Sequence, residues 1–149
     1  HSCIGTARRL PVPNRKAQAD ILVEAVQNHN PQVLVVDEIS SHSDVAAVRT
    51  IVQRGISLVA TAHGFSLQSL LKNPDLRTLV GGLREGGSAA KVAAAAGAHG
   101  VGGGGRGGAK ARIVRAAPPA FNMVVELVSR RRVRVHADVA GAVDCLLGG

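Results

Sequence analysis

Two short apolar runs a helix-length apart, Val33-Leu34-Val35-Val36 and Ile56 to Ala60, constrain this chain more than any other feature. The first is continuous, rich in β-branched residues and bounded by Pro31 and polar residues, the pattern of a parallel strand buried on both faces. Between them Ser43 can cap a helix over 44–54. Asp44 suits its positive end, Val45, Val48 and Val52 make an apolar stripe, and Gly55 supplies the stop. Strand, helix and strand with such short joints form a βαβ unit, whose crossover is right-handed in nearly every parallel sheet. The fold class is therefore α/β, with Val33 to Val36 as a central strand.

The flanking sequence divides into segments. Asn14 to Asn28 places Ala17, Ile21, Ala25 and Val26 at helical spacing, after the extended Pro11-Val12-Pro13 and before Pro31. A short helix over Ser66 to Leu71 stops at Asn73-Pro74, and Asp75 to Glu85 is expected to lead out of the core. Gly81 to Gly108 holds 12 of the 18 glycines beside an alanine-rich stretch, too little apolar surface to offset chain entropy, so 86–109 reads as a disordered insertion. That leaves 1–85 as one unit and 110–149 as another. In the latter, 111–116 suits a strand, and Phe121, Met123, Val125 and Leu127 alternate on one face. Val133 and Val135 alternate again, which predicts a hairpin turning at Ser129 to Arg131. Asp138 to Leu147 closes the chain as a helix, with Val139, Val143 and Leu146 or Leu147 on the face expected to lie against the hairpin.

Charge and composition bound the partners. Lys plus Arg outnumber Asp plus Glu by 18 to 10, a formal +8 that favours polyanions without specifying one. Phe65 and Phe121 are the only aromatic residues, so Val, Leu, Ile and Ala must fill the core. Cys3 and Cys145 lack the spacing of a zinc site or a redox pair, which suits a reduced compartment. No apolar run of about 18 residues appears, so no membrane-spanning helix is expected, and the start carries no signal-peptide pattern.

The chemistry concentrates where the two strands end. Four apolar residues followed by Asp37-Glu38 match a Walker-B strand, which projects an acid toward a nucleotide-bound magnesium ion at the edge where open α/β sheets bind ligands. In that reading Asp37 holds Mg2+ through water and Glu38 polarises the water that attacks the γ-phosphate. The other reading is a strand ending in two solvated acids. Thr61-Ala62-His63-Gly64 emerges at the same edge, placing a hydroxyl and an imidazole where they could sense that phosphate. Arg130, Arg131, Arg132 and Arg134 form the densest basic patch, with Arg132, Arg134 and His136 on one strand face opposite Val133 and Val135. Such a face suits single-stranded nucleic acid or another polyanion. No interleaved aromatic residue offers a stacking platform, and a charged edge strand that resists aggregation fits equally.

Several motifs occur together and in order: Ile4-Gly5-Thr6-Ala7-Arg8-Arg9-Leu10-Pro11-Val12-Pro13, Val35-Val36-Asp37-Glu38-Ile39, Thr61-Ala62-His63-Gly64, Leu79-Val80-Gly81-Gly82, Ala117-Pro118-Pro119-Ala120-Phe121 and Val135-His136-Ala137-Asp138-Val139-Ala140. With them the chain resembles P-loop ATPases of the sporulation-stage-III-AA-like and chloroplast or cyanobacterial type, over nearly its whole length outside 86–109. The resemblance implies a RecA-like P-loop NTPase core, a partial parallel sheet with flanking helices followed by a β-hairpin plus helix. It also implies ATP and Mg2+ as cofactors, ATP hydrolysis, a possible homo-oligomeric ring and a chloroplast location. After Ile39 the family usually has a Gly and then an acid, where this chain reads Ser40-Ser41-His42-Ser43. The Gly-rich phosphate loop ending in Gly-Lys-Ser/Thr does not occur in these residues and is expected upstream of His1; without it this stretch should bind nucleotide poorly. A non-catalytic nucleic-acid-binding or protein-interaction module that works through the basic hairpin is the alternative.

Overall fold

The computed structural model describes residues 4–86 and 112–148. The proposed insertion at 86–109 lies outside these residues except for Gly86, which ends a strand. Asn14 accepts the Ala17 N–H at 3.0 Å and so nucleates a 3-10 turn, Arg15–Ala17, that runs directly into helix α1, Gln18–His29. Strand β1 is longer than its apolar run and spans Val33–Ile39, so Asp37 and Glu38 belong to it. Helix α2 covers His42–Gln53 and strand β2 covers Ser57–Ala62, parallel to β1 with Val33 opposite Ser57 and Val36 opposite Ala60. The βαβ unit thus forms as expected, with Gly55 at φ +81° closing α2.

Two expectations for this unit fail for identifiable reasons. The cap of α2 is Ser41, not Ser43: Ser41 Oγ accepts the Asp44 N–H at 3.2 Å, while Asp44 Oδ2 accepts the Ser41 N–H at 3.0 Å. This reciprocal capping box needs an acid three residues after the cap, a spacing that Ser41 has and Ser43 lacks. Nor is β1 buried on both faces. Leu34, Val36, Leu58 and Ala60 pack against a core containing Leu22, Val45, Val48 and Ile51 from α1 and α2. Both helices lie on that one side, so Val33, Val35 and Val59 on the other are exposed. Among the described residues β1 pairs with β2 alone.

Beyond β2, Ser66 caps the short helix α3, Leu67–Lys72. The following stretch turns back into the core instead of leaving it. Leu76 and Leu79 join the cluster under β1, and Val80 joins a second cluster with Leu67 and Leu71. Strand β3, Leu83–Gly86, pairs antiparallel with β4, Arg112–Arg115, with Gly86 opposite Arg112. The hairpin β5, Val124–Ser129, and β6, Arg132–His136, turns at Arg130-Arg131, with Ser129 of the expected turn belonging to β5 opposite Arg132. Helix α4, Val139–Gly148, packs differently from expectation. Val139 and Val143 bury completely against Leu67, Leu71 and Val80, each worth about 1.5–3 kcal/mol. Asp144 meanwhile accepts two hydrogen bonds of 2.9 Å from the Arg115 guanidinium on β4. The hairpin contributes only the flank of this cluster, through Val124. Its alternating apolar face, including Val125, Leu127, Val133 and Val135, points to solvent.

Candidate functional site

The carboxyl end of β1 is irregular in a specific way. Pairing with β2 runs to Val36 opposite Ala60 and resumes at Ile39 opposite Ala62, so Asp37 and Glu38 face Thr61 alone. This is a β-bulge, a feature that re-aims side chains. Glu38 has φ +61°, the left-handed region that a side chain disfavours. Two side chains secure its backbone there. Thr61 Oγ1 accepts the Glu38 N–H at 2.9 Å, and Gln18 Nε2 donates to the Glu38 carbonyl at 2.8 Å.

The Glu38 carboxylate is similarly engaged. Arg15 donates to Oε2 at 2.6 Å, and His63 Nε2 stands 3.5 Å from Oε1. Of the residues expected to act together, Glu38, Thr61 and His63 are therefore neighbours at one edge. Asp37 is exposed and enters no ion pair among the described residues. Behind them, Asp44 fixes the segment that follows β1, accepting the N–H groups of Ser40 at 3.3 Å and Ser41 at 3.0 Å while buried at 2% exposure. Its Oδ1 has no hydrogen-bond partner.

Among the described residues no three potential ligands gather as a metal cage. Magnesium keeps several waters and typically takes one or two carboxylates plus substrate phosphate. The exposed carboxylate of Asp37, with Glu38 next to it, fits that sparse donor set. Nothing local in the sequence ties Arg15, Gln18 or Asp44 to this strand end. The first two stand in a helix start far from the motif, and Asp44 was legible only as a dipole-matching acid.

The basic hairpin is less free than its sequence suggests. Arg130, Arg131 and Arg132 are exposed, but Arg134 donates to Glu126 Oε2 at 2.9 Å and His136 Nε2 sits 2.9 Å from Oε1. Glu126 is buried and also accepts the Leu67 N–H at 2.7 Å. That backbone bond, then the His136 bond and the nearby Arg134 charge, hold its carboxyl below the ordinary glutamate range, against the opposing effect of burial. His136 is thus held against a buried carboxylate, while Arg134 pairs with the same carboxylate from a side chain that is still 63% exposed. Glu126 was readable in principle, because a turn at Arg130-Arg131 sets it directly across from Arg134.

A family model described as sporulation stage III, protein AA, matches residues 6–85. Protein SEEDLING PLASTID DEVELOPMENT 1 of Arabidopsis thaliana is 40% identical over 152 residues, covering 100% of this chain and 20% of its own length. The uncharacterized protein ycf45 of Porphyra purpurea is 39% identical over 149 residues, covering 100% of this chain and 25% of its own. Stage III sporulation protein AA of Bacillus subtilis (strain 168) is 32% identical over 72 residues, 48% of this chain and 24% of that protein. The chain therefore spans about a fifth to a quarter of the length of these relatives. No solved structure matches it.

Proposed function

The chain belongs to the sporulation stage III protein AA family, and from that membership and the arrangement around Glu38 we propose that it is the Walker-B half of a P-loop ATPase. The observation that carries the reading is the bulged end of β1, where a strained glutamate follows an exposed aspartate and abuts Thr61 and His63. Strain of this kind persists where surrounding contacts enforce it and clusters at functional sites.

In this reading Asp37 takes a water-mediated place on the Mg2+ that accompanies ATP, and Glu38 orients and polarises the attacking water. Thr61 already accepts from the Glu38 N–H, and a hydroxyl that accepts one bond can still donate its proton to the γ-phosphate. His63, mostly exposed, offers a second phosphate contact. Arg15 is also largely exposed and can exchange Glu38 for a phosphate oxygen. The reading requires a Gly-rich loop ending in Gly-Lys-Ser/Thr, which these 149 residues do not contain, so it applies to a polypeptide that carries one. We also assign a plastid location, on the family resemblance and the name of the Arabidopsis relative, and a homo-oligomeric state by analogy with motor ATPases.

The test is Glu38→Gln in the natural polypeptide. Turnover should fall by at least about 100-fold while ATP stays bound, since removing the group that orients water spares the contacts that hold nucleotide. Equal turnover in both proteins would remove Glu38 from catalysis.

A further inference from the structure

Resting on the hydrolase reading above, we propose that Gln18 is a positioning residue for Glu38. Its amide and the Thr61 hydroxyl grip the two backbone polar groups of Glu38 and hold that residue left-handed, which aims its carboxylate toward His63 and the end of β2. The bonds are 2.8 Å from Gln18 Nε2 to the Glu38 carbonyl and 2.9 Å from the Glu38 N–H to Thr61 Oγ1. They come from two elements, the start of α1 and the end of β2, so the Glu38 peptide is held from both sides.

Several observations favour this backbone clamp over the Arg15 ion pair as the device that sets Glu38. Arg15 is 71% exposed, and exposed pairs contribute little and exchange readily with solvent. Gln18 is half-buried and is the first residue of α1, behind a turn that Asn14 caps, so its reach is fixed by a folded element. Glu38 itself sits in a conformation that needs such support: φ +61° is disfavoured for any residue with a side chain. With the grip released, Glu38 can return to extended backbone, where neighbouring side chains alternate strictly between faces, and its carboxylate is re-aimed.

The experiment uses the natural polypeptide and two readouts. Gln18→Met keeps the length of the side chain and removes the donor; Gln18→Glu does the same with a polar isostere. Both are expected to lower kcat by about tenfold to a hundredfold with KM for ATP little changed, the mark of a misplaced group in a site that still binds. Without nucleotide, exchange of the Glu38 amide followed by NMR should accelerate in both. In Thr61→Val, which lacks the acceptor, it should accelerate by up to about tenfold, whereas Thr61→Ser should preserve protection. Unchanged kcat in the Gln18 variants of an active enzyme overturns the positioning role, as does unchanged amide exchange. A wild-type polypeptide without turnover overturns the hydrolase reading instead, and the exchange comparison still decides whether the clamp exists.

Discussion

Ser41 and Ser43 are two residues apart, chemically identical and both near the start of α2, yet only one caps it. The difference lies in Asp44, which stands three residues after Ser41 and completes a reciprocal pair of bonds that no acid completes for Ser43. Ser43 instead contacts the Ser41 hydroxyl at 2.8 Å. Ser41→Ala should therefore destabilise the protein by about 1 kcal/mol, and Ser43→Ala by a few tenths at most, in chemical denaturation. Similar losses for the two would mean that the hydroxyl pair, rather than the capping box, secures the helix start. At this scale the sequence was legible wherever one residue type carries a strong local preference. Gly55 could be read as a stop because α2 is followed by a φ that glycine adopts freely. Asp37 and Glu38 could be read as a strand-end pair. The supports of Glu38 were not legible, because Arg15 and Gln18 reach it from 23 and 20 residues away in sequence and nothing local marks them.

Among the elements, the hairpin shows how a correct assignment of strands can leave their orientation open. Its register and turn follow from alternation, but alternation equally allows the valine face or the arginine face to be packed. Glu126 decides. On β5 it accepts from Leu67 at the start of α3 and from Arg134 and His136 on β6, which turns Glu126 and His136 inward and leaves Val125 and Leu127 outside. Because its folded-state pKa lies below the unfolded value, this carboxylate contributes stability that is fully present above the ordinary glutamate pKa of about 4.5. The contribution is lost as pH falls from there through the depressed folded value. Glu126→Gln should cost about 2 kcal/mol at pH 7, the scale of hydrogen bonds to a charged group, and the difference from wild type should shrink as acid is added. Denaturation midpoints followed between pH 7 and 3 measure this. A difference that does not vary with pH would show that shape, not charge, anchors the hairpin. The same contact accounts for the wrong packing predicted for α4. Its apolar stripe was read correctly, but Leu67, Leu71 and Val80 offer it an apolar surface, whereas the inward face of the hairpin offers mainly ion pairs.

The α/β class and the βαβ unit follow from the two apolar runs because strand and helix periods are written locally. What those runs could not specify is which side of the sheet each helix covers, and here α1 and α2 share one side. Parallel sheets are ordinarily covered on both faces. Val35 at 79% and Leu127 at 80% exposure instead leave apolar side chains in water on both the sheet and the hairpin. A groove of about 560 Å³ between β2 and β5 adds Val59 and Met123 to that surface. Exposed apolar area of this kind favours association. The isolated 149-residue chain is therefore expected to self-associate at micromolar concentration in sedimentation velocity. Val35→Lys combined with Leu127→Glu should weaken that association by about tenfold or more, the equivalent of about 1.4 kcal/mol, and leave the far-UV circular dichroism unchanged. Both substitutions fall on positions that already face water, so the folded core has no reason to respond. Association of equal strength in the variant would move its origin away from these faces, and a monomeric wild-type chain would show that their exposure is tolerated as it stands.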